Sequence, residues 1–103
     1  MQPDISVICD KSKLTDKGCN GAPDMVIEVV SPYKPGNDYI KKAYLYELHG
    51  VREYWIVNPM KKTILVYILE NDGYDMPTTY TFQDTVKVNV FNDLEINFST
   101  IEL

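Results

Sequence analysis

The sequence predicts a mixed α/β fold, a largely antiparallel sheet carrying one main helix, and three observations predict it. Short runs of β-branched and aromatic residues recur along the 103 residues, separated by Gly, Pro, Asn and Asp. A single segment with helical spacing lies between two of these runs. Tyrosine occurs eight times, against one Trp and three Phe, and tyrosine suits half-buried strands.

The elements follow in order. Residues 4–9, DISVIC, read as a short strand, and residues 10–23, polar and glycine-containing, as a loop. Residues 24–31, DMVIEVVS, form a second strand with β-branched residues on both faces, the pattern of a strand covered on both sides. SPYKPGN ends it with two prolines and a glycine. A helix starts near Asn37 or Asp38, either of which suits a cap. Ile40, Tyr44 and Leu48 then share one helical face, and Gly50 stands where a glycine ends a helix. Residues 52–58 and 63–69 are the third and fourth strands, with a turn at Asn71-Asp72-Gly73. The tail carries short strands at 78–82, 86–90 and 94–98. Strand 24–31, helix 38–49 and strand 52–58 make a β-α-β unit, whose strands are parallel. Strands 4–9 and 24–31 pair as an antiparallel hairpin.

Composition narrows the function. A net charge of −5 disfavours a general nucleic-acid coat, which needs a basic surface. It is compatible with a carboxylate site for metal. Lys11, Lys13, Lys17, Lys34, Lys41 and Lys42 all precede residue 43, either as solvated loop lysines or as a basic rim beside a site. No apolar run of ~18 residues predicts a membrane span. Met1 to Ile5 lacks a basic region followed by an apolar one, so a cytoplasmic location is expected, with Cys9 and Cys19 as reduced thiols. Neither cysteine has a CxxC or Cys/His partner, which argues against zinc.

One residue breaks the apolar pattern. Asp24, Val26, Glu28 and Val30 share a face of their strand, and a glutamate there is costly unless something pairs with it. Either a buried ion pair or a metal or catalytic role would account for it. If Cys9 lies opposite residues 23–25, the hairpin puts Asp4 opposite residues 28–30, where strands ~4.8 Å apart would let Asp4 and Glu28 share a cation. Asp24 lies ~13 Å along the strand from Glu28 and is a ligand only if the strand bulges. His49 reads as a surface residue at the helix end, Trp55 as core, and Tyr39 and Tyr46 as core edge rather than base-stacking groups.

Four separated motifs, taken together, resemble a known family. QPD followed by apolar residues, then GAPDMVIEVVSP, then D-x-x-x-K-x-x-x-Y, then GVREYWIVNP occur in that order from Gln2 to Pro59. The ending VFNDLEINFSTIEL is similar as well. The pattern resembles the Uma-type restriction endonuclease family of the PD-(D/E)XK nuclease superfamily. The resemblance implies a restriction endonuclease-like core and an Mg²⁺- (or Mn²⁺-) dependent endonuclease that hydrolyses phosphodiester bonds in DNA. Pro3-Asp4 and Glu28-Val29-Val30 supply the metal-binding motifs, with Asp4 and Glu28 as metal ligands and Asp24 in support. Val30 occupies the usual lysine position, and the match of D-x-x-x-K to Asp38 and Lys42 makes Lys42 the catalytic lysine. An exposed helix lysine at 42 and a helix-capping Asp38 are the plainer readings.

The resemblance also carries a departure. Members have a long segment upstream of the PD motif, and the superfamily core opens with a helix and a strand, whereas Asp4 stands near the start here. Residues 1–103 are expected to form one nuclease-like domain, either the C-terminal part of a longer member or a shortened homologue. Without that helix one apolar sheet face would be uncovered, so a homodimer or higher oligomer is expected unless the strands from Thr78 to Phe98 fold back over it. The competing function is a catalytically inactive interaction module on a nuclease-like scaffold.

Overall fold

The computed structural model describes residues 4–8, 14–15, 18–19, 23–30, 37–71, 73–91 and 94–100, those up to 19 and 37–38 through their backbone alone. The strands are β1 (Asp4–Ile8), β2 (Leu14–Thr15), β3 (Gly18–Cys19), β4 (Met25–Val29), β5 (Glu53–Asn58), β6 (Thr63–Glu70), β7 (Gly73–Tyr74), β8 (Thr78–Thr81), β9 (Thr85–Lys87) and β10 (Glu95–Asn97). Among the described residues one helix, α1 (Asn37–Leu48), lies between β4 and β5, and a 3-10 turn follows at Phe98–Thr100. The expected mixed α/β architecture is therefore present, with a mostly antiparallel sheet.

The main sheet runs β1-β4-β5-β6-β7, with β8 also on β6. β4 and β5 are its inner, parallel pair, and every other pairing is antiparallel. The crossover helix makes that parallel pair possible, because two adjacent parallel strands cannot be joined by a tight turn. The segment read as a loop at 10–23 includes the small β2-β3 pair, Leu14 opposite Cys19.

Alternation along the inner strands divides the molecule into two apolar layers. On one side Val26, Tyr54 and Ile56 meet Tyr39 and Ala43 of α1, with Val51. On the other, Met25, Trp55, Val57, Ile64 and Val66 meet Val86, Val88 and Phe98 from the tail. The tail thus covers the sheet face that an opening helix was expected to cover. Its apolar residues alternate at 86 and 88, which suits a short strand laid on an apolar layer.

The helix is fixed at its C-terminal end by a paired hydrogen-bond closure. Val51 N donates to Tyr46 O at 3.0 Å and Gly50 N to Glu47 O at 3.2 Å, with Gly50 at φ 76°. That left-handed position is the one glycine takes without a side-chain clash. Its packed side is Tyr39, Ala43 and Tyr46, while Ile40, Tyr44 and Leu48 face solvent, 70%, 63% and 64% exposed. The stripe seen in the sequence is real as a face but does not meet the core. The side that meets the sheet is the one that brings Lys42 to Glu28.

Candidate metal centre

Three carboxylates among the described residues are buried: Asp24 at 3% exposure, and Glu28 and Glu53 at 0%. Each lies on or beside the inner strand pair, and each is held differently.

Glu28 sits in the middle of β4, on the side facing α1. Lys42 Nζ, from the second turn of the helix, donates to its Oε1 at 2.5 Å. The Tyr54 hydroxyl, from β5, donates to its Oε2 at 3.0 Å. The Lys42 side chain remains 25% exposed, and its ammonium lies 5.8 Å from the Tyr39 ring centroid, within cation–π range. Tyr46 packs on Tyr54 with ring centroids 4.8 Å apart. The result is a charged pair with one buried end and one end that reaches water, walled by three tyrosines. Burial first, and then the negative charge of Glu28, push the Tyr54 hydroxyl well above the usual phenol range. Tyr46 is pushed up for the same two reasons, with Lys42 opposing. Both hydroxyls therefore stay protonated at neutral pH, and Tyr54 is a donor to the carboxylate.

Asp24 lies just before β4, with an Arg52 guanidinium nitrogen 3.8 Å away. Its position at the far end of the strand from Glu28 is the one expected. The β1-β4 register places Asp4 opposite Val29 and Ile5 opposite Glu28, so Asp4 lies within the expected span of residues 28–30, but it is Ile5 that the register sets on the Glu28 face, one residue off the alignment a shared cation needs. The Asp4 side chain lies outside the described residues, as do the Asp38 side chain, Lys11, Lys13, Lys17, Lys34 and the cysteine side chains. Among the described residues no group of three or more His, Cys, Asp or Glu side chains forms a ready metal cage. His49 is exposed, with Nδ1 2.8 Å from the Leu45 carbonyl oxygen, and Trp55 is wholly buried.

Two residues of this region went unassigned in the sequence. Tyr54 reaches Glu28 because the parallel register sets it beside Val26, one strand over and two residues short of Glu28 on the same side. Glu53 faces the opposite layer, where the Trp55 indole donates to its Oε2 at 2.6 Å and the amides of Asn89 and Val90 donate at 3.2 and 2.9 Å. The available signal was the placing of Glu and Trp two apart on one strand, which puts them on one face.

A family model described as "Putative restriction endonuclease", named Uma2, matches residues 1–99. The chain belongs to the Uma2 family. Its fold is similar to the crystal structure of "a putative nuclease belonging to DUF820" from Anabaena variabilis, with a TM-score of 0.73 and 25% sequence identity. That likeness covers 96% of this chain and 57% of the neighbour, so the chain spans little more than half the neighbour's length. No curated protein matches it. Among the described residues no helix is long and apolar enough to cross a membrane. For this Uma2 member the nuclease-like fold places β4, α1 and β5, three of the four elements on which the family-like motifs fall, around Glu28.

Proposed function

We propose that the chain is a metal-dependent DNA endonuclease domain acting at Glu28, Asp4 and Lys42. The single observation that carries this reading is the contact of a helix lysine with a fully buried strand glutamate, Lys42 Nζ to Glu28 Oε1. The family supports it, since the lysine falls where the D-x-x-x-K motif puts it.

The donor chemistry suits a hard divalent cation. Carboxylate oxygens are the ligands Mg²⁺ and Mn²⁺ prefer. Mg²⁺ commonly takes only one or two carboxylates and leaves other positions to water and phosphate oxygens, so a dedicated protein cage is not needed. An ionised carboxylate has roughly four acceptor positions, so the bonds from Lys42 and Tyr54 do not by themselves bar a cation. Glu28 would hold the metal, joined by Asp4 if the first residue of β1 turns out of the alternation its register sets, with Asp24 in support at the strand end. When bound, the cation supplies Lewis-acid polarisation of the phosphate and a more acidic water.

The chain's own groups do the rest. The buried Glu28 fixes where positive charge collects. Lys42, whose side chain is 25% exposed, would lie within reach of a phosphate oxygen brought to the metal. It offsets the charge that develops on that oxygen as water adds to phosphorus and the P–O bond to the departing sugar oxygen breaks. The tyrosine wall lowers access of bulk water, which strengthens each of these charge contacts.

DNA as substrate and a cytoplasmic setting belong to this reading, as do residues 1–103 acting as one nuclease-like domain. The tail covers the sheet face whose exposure was the ground for a homodimer, so a homodimer in this reading rests instead on the exposed Ile40, Tyr44 and Leu48 stripe of α1. Two sites facing one duplex could cut both strands. A sedimentation run giving only monomer at micromolar concentration would remove the dimer and leave the site intact. The function itself is tested by plasmid nicking in Mg²⁺ or Mn²⁺. The expected result is metal-dependent nicking that Glu28→Ala abolishes. No nicking across varied DNA, with no effect of metal on melting, would favour the inactive interaction module instead.

A further inference from the structure

We infer that Tyr54 is a positioning residue of the Glu28 site, its hydroxyl setting the orientation of the carboxylate for the metal. The inference rests on the metal-dependent reading above and adds a residue to it.

A glutamate has three side-chain torsions, and burial alone does not choose among their settings. Among the described residues, side chains from two elements anchor Glu28, one on each oxygen. Lys42 holds Oε1 from α1, and Tyr54 holds Oε2 from β5. Two anchors on different oxygens fix the plane of the carboxylate as well as its place.

The anchors differ in stiffness. Lysine is a point charge on a flexible stem, and the Lys42 side chain is 25% exposed, so it is the more flexible of the two anchors. Tyr54 is 0% exposed on an inner strand paired on both sides. Its ring lies between Tyr46, at 4.8 Å and 59°, and Tyr67, at 6.0 Å and 21°. A side chain with two torsions held between two rings has little room to move. When Lys42 shifts, the Tyr54 hydroxyl stays.

Packing does not require that hydroxyl. A phenylalanine would fill the same space between Tyr46 and Tyr67. The hydroxyl points at Glu28, and a polar group carried into an apolar layer is retained where it makes a bond of value. A hydrogen bond from a fixed neutral donor to a metal-binding carboxylate is the arrangement that orients such ligands, and its loss weakens metal binding.

Thermal melting of the intact chain against Mn²⁺ concentration tests this, with plasmid nicking as a second readout. In Tyr54→Phe the Mn²⁺ needed for half of the melting shift should rise about tenfold, and the nicking rate should become dependent on higher metal. In a Glu28→Gln background, Tyr54→Phe should change the metal response no further. Tyr67→Phe, which removes a hydroxyl from the neighbouring ring, should leave the response as in the wild type. A Tyr54→Phe response equal to the wild type would overturn the positioning role and leave the metal reading standing. A wild-type chain with no Mn²⁺ response would overturn both. A Tyr54→Phe chain that does not fold would make the hydroxyl structural and overturn the role as well.

Discussion

Glu28 and Glu53 are both wholly buried carboxylates on adjacent inner strands, yet they sit on opposite sides of the sheet and in opposite company. Glu53 accepts from an indole and two backbone amides, all fixed N–H groups. Those bonds tie the 89–90 segment to β5 and so help hold the tail over the sheet. Among the described residues Glu28 instead accepts from side chains, one of them a lysine that is partly exposed. A carboxylate surrounded by fixed donors holds structure together. A carboxylate paired with a movable cation at a rim is arranged to exchange partners. The comparison separates a buried charge that serves folding from one that can serve chemistry, although exposure is identical for the two.

The largest expected effect comes from breaking the structural member. Glu53→Ala leaves the Trp55 indole and the amides of Asn89 and Val90 without their acceptor, which should cost ~3–5 kcal/mol. Urea unfolding would measure it, and a loss below ~1 kcal/mol would mean that water replaces the carboxylate easily.

Next comes Lys42→Met, which leaves Glu28 buried with its cation removed. It should cost ~2–3 kcal/mol, less than breaking a fully enclosed pair, because Lys42 is partly solvated. Adding Glu28→Gln to it should return part of that loss, since the remaining amide carries no charge. No return in the double variant would show that the pair is not the source of the cost.

The smallest effect is alkaline. Tyr54 and Tyr74 both have raised pKa values, chiefly from burial and then from Glu28 and Glu47 respectively. A phenol with a raised folded pKa contributes stability that is complete below its unfolded pKa of about 10 and is lost as pH climbs past it. The melting temperature should therefore hold steady to about pH 9.5 and fall above about 10. Tyr74→Phe, which also gives up the bond to the Val51 carbonyl, should make that fall shallower. An unchanged slope would place the alkaline sensitivity elsewhere.

Much of the fold was legible because its signals are local. The break at SPYKPGN, the start at Asn37 and the glycine at 50 bound α1 almost to the residue, and turn residues separate the strands. The interior of β4 announced Glu28, because a charge in a β-branched strand has no cheap explanation. What was not legible depends on distance relations. Which side of α1 meets the sheet could not be read from Ile40, Tyr44 and Leu48, since Tyr39, Ala43 and Tyr46 offer a second apolar side and the sheet chose it. Lys42 was reached through the resemblance alone, because spacing gives no reason to prefer it to Lys41. Tyr54 depended on the β4-β5 register, which a crossover helix sets and no short motif encodes. The backbone partners of Glu53, unlike Trp55, lie 36 and 37 residues away, beyond any local pattern.

The central claim is that Glu28 binds metal and Glu53 does not, and Mn²⁺-dependent melting tests it most directly. Millimolar Mn²⁺ should raise the wild-type melting temperature by about 6–7 °C, the size expected for a ligand at roughly ten times its Kd on a domain of this length. Glu28→Gln should fold and lose that rise, whereas Glu53→Gln should start from a lower melting temperature and keep it. Equal metal-induced rises in the wild type and Glu28→Gln, or none in the wild type, would contradict the account.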